Sequence, residues 1–81
     1  MHELSLISSL LEMVAESAAA HGLSRVSKVE VRVGGWSGVC PESLSFAFEV
    51  LAHGALWRGA VLELSIVPDS TELLLVGYDA E

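Results

Sequence analysis

The hydrophobic period of this chain changes at His21-Gly22, and the change decides which folds are open to it. Before that point Leu4, Ile7, Leu11, Val14 and Ala18 recur every three or four residues, with Leu10 beside them. They form one apolar stripe along a helix from about Glu3 to Ala20, and Ser8, Glu12, Glu16 and Ser17 are left for solvent. Gly22 can take the left-handed conformation that ends a helix, and His21 suits the negative end of the helix dipole. Beyond it Val29, Val31 and Val33 alternate with Lys28, Glu30 and Arg32, the period of a half-buried strand from about Arg25 to Val33. A chain carrying both periods is neither all helix nor all strand.

Gly34-Gly35 and Ser37-Gly38, around Trp36, read as an irregular turn. A second helix starts near Pro41, where proline gives up no hydrogen bond and Glu42 favours the first turn. Leu44, Ala47, Phe48 and Leu51 form its apolar face, and Gly54 is its stop. From Ala60 to Val67 the period returns to two, with Leu62, Leu64 and Ile66 opposite Glu63 and Ser65. Pro68-Asp69-Ser70 has turn chemistry. A last strand runs from Glu72 to Tyr78, and its Leu73-Leu74-Leu75-Val76 is apolar on both faces. Such a strand is expected inside a sheet or against a neighbouring molecule. The order helix, strand, helix, strand, strand predicts an α+β fold with two helices on one face of a three-stranded sheet.

A length of 81 residues makes this a single domain over residues 1–81, and an apolar share of 52% supplies a core without disulfides. A net charge of −7 leaves no electrostatic footprint for nucleic acid or an anionic membrane, so the suited partners are cations and proteins. Cys40 is the one cysteine, which excludes an internal disulfide and any multi-cysteine zinc site. No apolar run is long enough to span a membrane, and His2 and Glu3 stand where a signal peptide carries lysine or arginine. A cytoplasmic location is the expectation. No nucleophile–base pair or phosphate loop is in view, and Gly34-Gly35 lacks dinucleotide-binding spacing. An enzyme is not expected.

The chemistry concentrates in Met1-His2-Glu3. Histidine in second place disfavours removal of the initiator methionine, so Met1 keeps the free amine. That amine, the His2 backbone nitrogen and the His2 imidazole form linked five- and six-membered chelate rings around one ion. A Glu3 backbone nitrogen or carboxylate completes the set. A planar, nitrogen-rich site suits Ni(II) or Cu(II) better than Zn(II), which prefers a tetrahedron. Its ligands must be deprotonated, so binding weakens as pH falls. The plain alternative is a mobile terminus with an incidental histidine.

Met1-His2-Glu3-Leu4-Ser5-Leu6 resembles the opening of the HypA/HybF nickel-insertion accessory proteins. The likeness continues through His21-Gly22, Val26-Ser27-Lys28-Val29-Glu30-Val31, and the Gly34 to Val39 turn. It extends over Pro41 to Glu49 and Gly59 to Glu63, so that nearly the whole chain is covered in order. The resemblance implies a nickel chaperone for maturation of nickel-iron hydrogenase, sometimes of urease, with Met1, His2 and Glu3 as the nickel site. It implies two partners, a GTPase accessory protein and the hydrogenase large-subunit precursor. The family also carries two Cys-x-x-Cys pairs in a zinc module between its last two strands. Pro68-Asp69-Ser70-Thr71 stands there instead, so no structural zinc is expected. Natural loss and deliberate excision of the module would leave the same short turn.

The competing reading is a protein-interaction or oligomerisation module of the same fold that no longer handles metal. The short turn before an apolar last strand favours strand exchange and hence a homodimer. The other candidate residues have structural readings. Cys40, just before a helix, is taken as a small buried residue although a helix N-terminus lowers a thiol pKa. His21 and His53 are taken as helix-end residues, and Trp36 and Trp57 as core or rim.

Overall fold

The computed structural model describes residues 2–81, the His2 side chain excepted. Helix α1 spans His2–Ala20, strand β1 Val26–Gly34 and helix α2 Pro41–Leu51; a single 3-10 turn at Ala55–Trp57 precedes strands β2, Val61–Val67, and β3, Leu73–Ala80. The helical stripe is buried as its spacing requires: Ile7, Leu11, Val14 and Ala18 lie in the core, with Leu4 and Leu10 packed at its margin. From α2 come Leu44, Ala47 and Phe48, and from β1 Val26, Val29, Val31 and Val33. Each large side chain taken fully from water contributes roughly 1.5–3 kcal/mol. Leu51 is the exception on α2; it is exposed at the last residue of the helix, beside Trp57 and Leu11.

Val26 and Val29 are both buried although they are three positions apart, a spacing that places two strand residues on opposite faces. A bulge resolves the conflict. Val26 pairs with Ala80 and Lys28 with Asp79, so Ser27 is the extra residue that resets the faces. A second irregularity falls between Glu30↔Gly77 and Val31↔Leu75, with Val76 the extra residue on β3.

The strand order is β2-β1-β3, with β1 parallel to β2 and antiparallel to β3. A parallel pair needs a crossover, and α2 lies within it. Of the two positions expected for the last strand, the interior of the sheet is not the one it takes. β1 holds the centre, β3 is an edge, and its Leu74 and Val76 are exposed. The chain between β2 and β3 must then cross the carboxyl end of β1, and it does so over Gly34-Gly35. Gly34 N–H donates to the Glu72 carbonyl at 2.7 Å, Gly35 N–H to Val67 at 2.8 Å and Trp36 N–H to Ser70 at 2.9 Å. A Cβ at Gly34 would stand 2.2 Å from the Ser70 carbonyl oxygen, and one at Gly35 2.7 Å from that of Pro68. The double glycine is there because another stretch of backbone lies on it.

Candidate metal centre

Helix α1 starts at His2 and its carboxyl end leads into β1, so its amino end lies at the end of the sheet where β1 finishes. The first four N–H groups of an α-helix have no acceptor within it. The His2 and Glu3 amide nitrogens belong to that set, and a metal can take them without breaking a helical N–H bond. Met1 and the His2 side chain, the other parts of the expected site, lie outside the described residues. Glu3 is half-buried, and its position is informative. Its Oε2 accepts a hydrogen bond from the Cys40 backbone N–H at 3.4 Å.

Cys40 is the N-cap residue of α2, and its own side chain makes no capping bond. Glu3 accepts instead from the N–H of the N-cap residue itself, reaching it from another helix, and its charge sits at the positive end of the α2 dipole. This long bond ties the amino end of α1 to the amino end of α2. It also places Cys40 beside the expected metal site, a neighbour that the separation of 37 residues hides from sequence reading. The expectation of a buried Cys40 is corrected. The thiol is exposed, because the residue occupies the turn before α2 and Leu44, one turn on, takes the core position. The Ser43 hydroxyl draws the thiol below its ordinary pKa, the Ser43 and Glu42 backbone N–H groups add to this, and partial desolvation opposes it.

The same end of the sheet carries exposed aromatic surface. Trp36 is 73% exposed, so core or rim packing, the expectation for both tryptophans, holds only for Trp57. Phe46 is 64% exposed and closes a cavity of about 80 Å³ with Glu3, Leu4, Ser43 and Ala47.

The remaining histidines stand elsewhere. The ring Nδ1 of His21 lies 2.8 Å from the Ser17 carbonyl oxygen, a helix-end contact. His53 lies two residues beyond the end of α2 and is exposed. The densest cluster of acids surrounds Lys28 on the face of the sheet opposite the helices. Its Nζ is 3.5 Å from Glu30, 3.8 Å from Glu63 and 3.7 Å from Asp79. Glu30, then Glu63 and Asp79, hold the Lys28 ammonium above its ordinary pKa. Among the described residues no three histidine, cysteine or acidic side chains are arranged to hold a metal ion.

Known proteins agree on where this chain belongs. A family model described as hydrogenase/urease nickel incorporation, metallochaperone, hypA, matches residues 1–72. A hydrogenase maturation factor HypA from Syntrophus aciditrophicus is 42% identical over 81 residues, covering 100% of this chain and 71% of that protein. One from Dechloromonas aromatica is 41% identical over 68 residues, covering 84% of this chain and 60% of its own length. Among solved structures, the nickel metallochaperone HypA from Helicobacter pylori superposes with a TM-score of 0.74 at 21% identity, over 93% of this chain and 70% of that one. A second HypA solution structure gives 0.71 at 23% identity, over 95% and 71%. These superpositions bear on the fold alone, and they match its two helices and three-stranded mixed sheet. The class is that of metallochaperones, carriers of a metal rather than enzymes. Within it, the chain belongs to the HypA family of hydrogenase and urease nickel-incorporation proteins.

Proposed function

We propose that this chain is the nickel-binding domain of a maturation chaperone and carries one Ni(II) at its amino end. The ligands are the Met1 amine, the His2 backbone nitrogen and imidazole, and Glu3. What supports this reading is the sequence Met1-His2-Glu3 in a chain of the HypA family whose first helix begins at His2. Nickel is cargo here, and it neither holds the fold together nor takes part in a reaction. With its carboxylate already on the Cys40 N–H, Glu3 offers the metal its backbone nitrogen first. Capture then needs the loss of protons from the Met1 amine, the His2 imidazole and the chelating amides, so affinity rises with pH.

Structural zinc has no place in this reading. The single cysteine cannot form such a site, and the chain from β2 to β3 is the short crossing over Gly34-Gly35. The recipient is a hydrogenase large-subunit precursor, reached together with a GTPase accessory protein in the cytoplasm. No helix among the described residues is long and apolar enough to cross a membrane. A hydrogenase-producing host lacking its own HypA-type protein tests delivery. Restored hydrogenase activity in unsupplemented medium supports the proposal, and activity that appears only with excess nickel contradicts it.

A further inference from the structure

All four lysine and arginine side chains lie outside the helices: Arg25, Lys28 and Arg32 on or just before β1, and Arg58 just after the 3-10 turn. The helices carry glutamates instead, Glu3, Glu12 and Glu16 on α1 and Glu42 and Glu49 on α2. α1 and α2 run side by side in the same direction, since Glu3 and Cys40 join their starts and Leu51, the last residue of α2, lies beside Leu11 and Glu12. Between them a valley opens to solvent. The cavity under Phe46 shares Leu4 with a hollow of about 520 Å³ lined by Ser8, Val50 and Leu51. That hollow shares Ser8 and Leu51 with one of about 240 Å³ that ends at Trp57.

One wall of the valley is apolar and the other is low. Phe46, Val50 and Leu51 of α2 are 64%, 44% and 38% exposed, while α1 offers Ser5, Ser8 and Ser9, too small to fill the space. Helical spacing places Glu12 and Glu16 in line with Ser8 on the α1 shoulder, and Glu42 and Glu49 around Phe46 on the α2 shoulder. All four glutamates are exposed. An apolar trough between two acidic shoulders, with no lysine or arginine on either helix, sets the charge of what fits it.

We infer that this valley docks a basic amphipathic helix of another protein, with its apolar stripe on Phe46, Val50 and Leu51 and its lysines or arginines along both shoulders. The 11 residues of α2 make about 16 Å of groove, enough for about three turns of an incoming helix and its anchors at i, i+3, i+4 and i+7. A strand has no place there, because two helical walls offer no open row of backbone groups. The helices of a second copy bear glutamates only, and an anionic membrane is repelled for the same reason. The groove begins at Glu3, so a seated helix lies next to the proposed nickel site, but the surface does not rest on that reading.

A labelled synthetic peptide of about 14 residues, with leucines at helical spacing on one face and lysines on the other, tests the surface on the full chain. Fluorescence anisotropy reads its binding, and amide chemical shifts should move at Ser8, Ser9, Val50 and Leu51. The same peptide with glutamate for lysine should bind about tenfold more weakly or worse, as should one whose residue order leaves no apolar face. Val50→Lys puts a cation in the trough and should weaken the lysine peptide about tenfold. Glu12→Gln with Glu16→Gln should weaken it about threefold and reduce its sensitivity to salt. Val61→Lys, the same change at an exposed position on β2, should have no effect. Far-UV circular dichroism confirms that each variant folds. No binding up to about 1 mM, equal binding of the glutamate peptide, or equal losses from Val50→Lys and Val61→Lys would overturn the inference. So would movement of the same amide shifts on concentrating the protein alone or on adding phosphatidylcholine vesicles, which would give the valley to a second copy or to a membrane. Nickel stoichiometry of Val50→Lys reports separately on the proposed metal site, to which Val50 does not belong.

Discussion

Where β1 begins, the molecule is fastened by many short bonds. Arg25 meets the Glu81 carboxylate at 2.9 Å and the Arg58 carbonyl at 3.0 Å, Glu81 exchanges backbone bonds with Arg25, and Ser17 bonds Tyr78 at 2.6 Å. Where β1 finishes, the sheet side is held by the crossing over Gly34-Gly35, and on the helix side the Cys40 N–H meets Glu3 across 3.4 Å. An exposed thiol and exposed aromatic rings collect at this second end. The nickel site we propose lies at this end, where the contact between the two helix starts is long and local opening is easier.

The largest effect is expected within the second end itself, on its sheet side. Gly34→Ala drives a methyl group into the Ser70 carbonyl, and a backbone neighbour cannot step aside. We expect a loss of about 3 kcal/mol or more in urea unfolding; a normal midpoint would show that the crossing is loose. On the helix side, Leu44→Ala should cost about 2–5 kcal/mol because Leu44 is fully buried, whereas exposed Phe46→Ser should stay within about 0.5 kcal/mol. Equal effects would mean that the aromatic surface is part of the core. At the first end, Arg25→Ala breaks an exposed ion pair and should cost about 0.5–1 kcal/mol, read as a small shift in melting temperature.

The smallest effect concerns Lys28, near the start of β1. Its pKa is raised in the folded chain, so its stabilising contribution is complete below the unfolded value of 10.5 and fades as pH climbs through the folded value. Lys28→Met should flatten the loss of stability above pH 10.5 and leave neutral pH almost unchanged in high salt. A parallel alkaline limb in both proteins would remove Lys28 from the account.

Much of this was legible in the residues. The stripe Ile7-Leu11-Val14-Ala18 and the alternation Val29-Val31-Val33 define a helix and a strand with their buried faces, because each period is local. Val26 escaped because the bulge at Ser27 depends on pairing with β3. The edge position of β3 escaped too: sheet order is decided by which strands meet, and four consecutive apolar residues look the same at an edge or in a centre. The exposed Cys40 and its contact with Glu3 required the approach of two helix starts, which no spacing encodes. The site we propose at Met1-His2-Glu3 was read for the opposite reason, since a chelate of consecutive residues can be considered without knowing the fold.

The central claim is that the amino end of α1 is where nickel binds. A calorimetric nickel titration of untagged protein beginning at Met1, beside His2→Ala and a version with residues added before Met1, addresses it directly. The account predicts one equivalent bound by the first and none at comparable affinity by the other two. Equal binding by all three would place the metal elsewhere and contradict it.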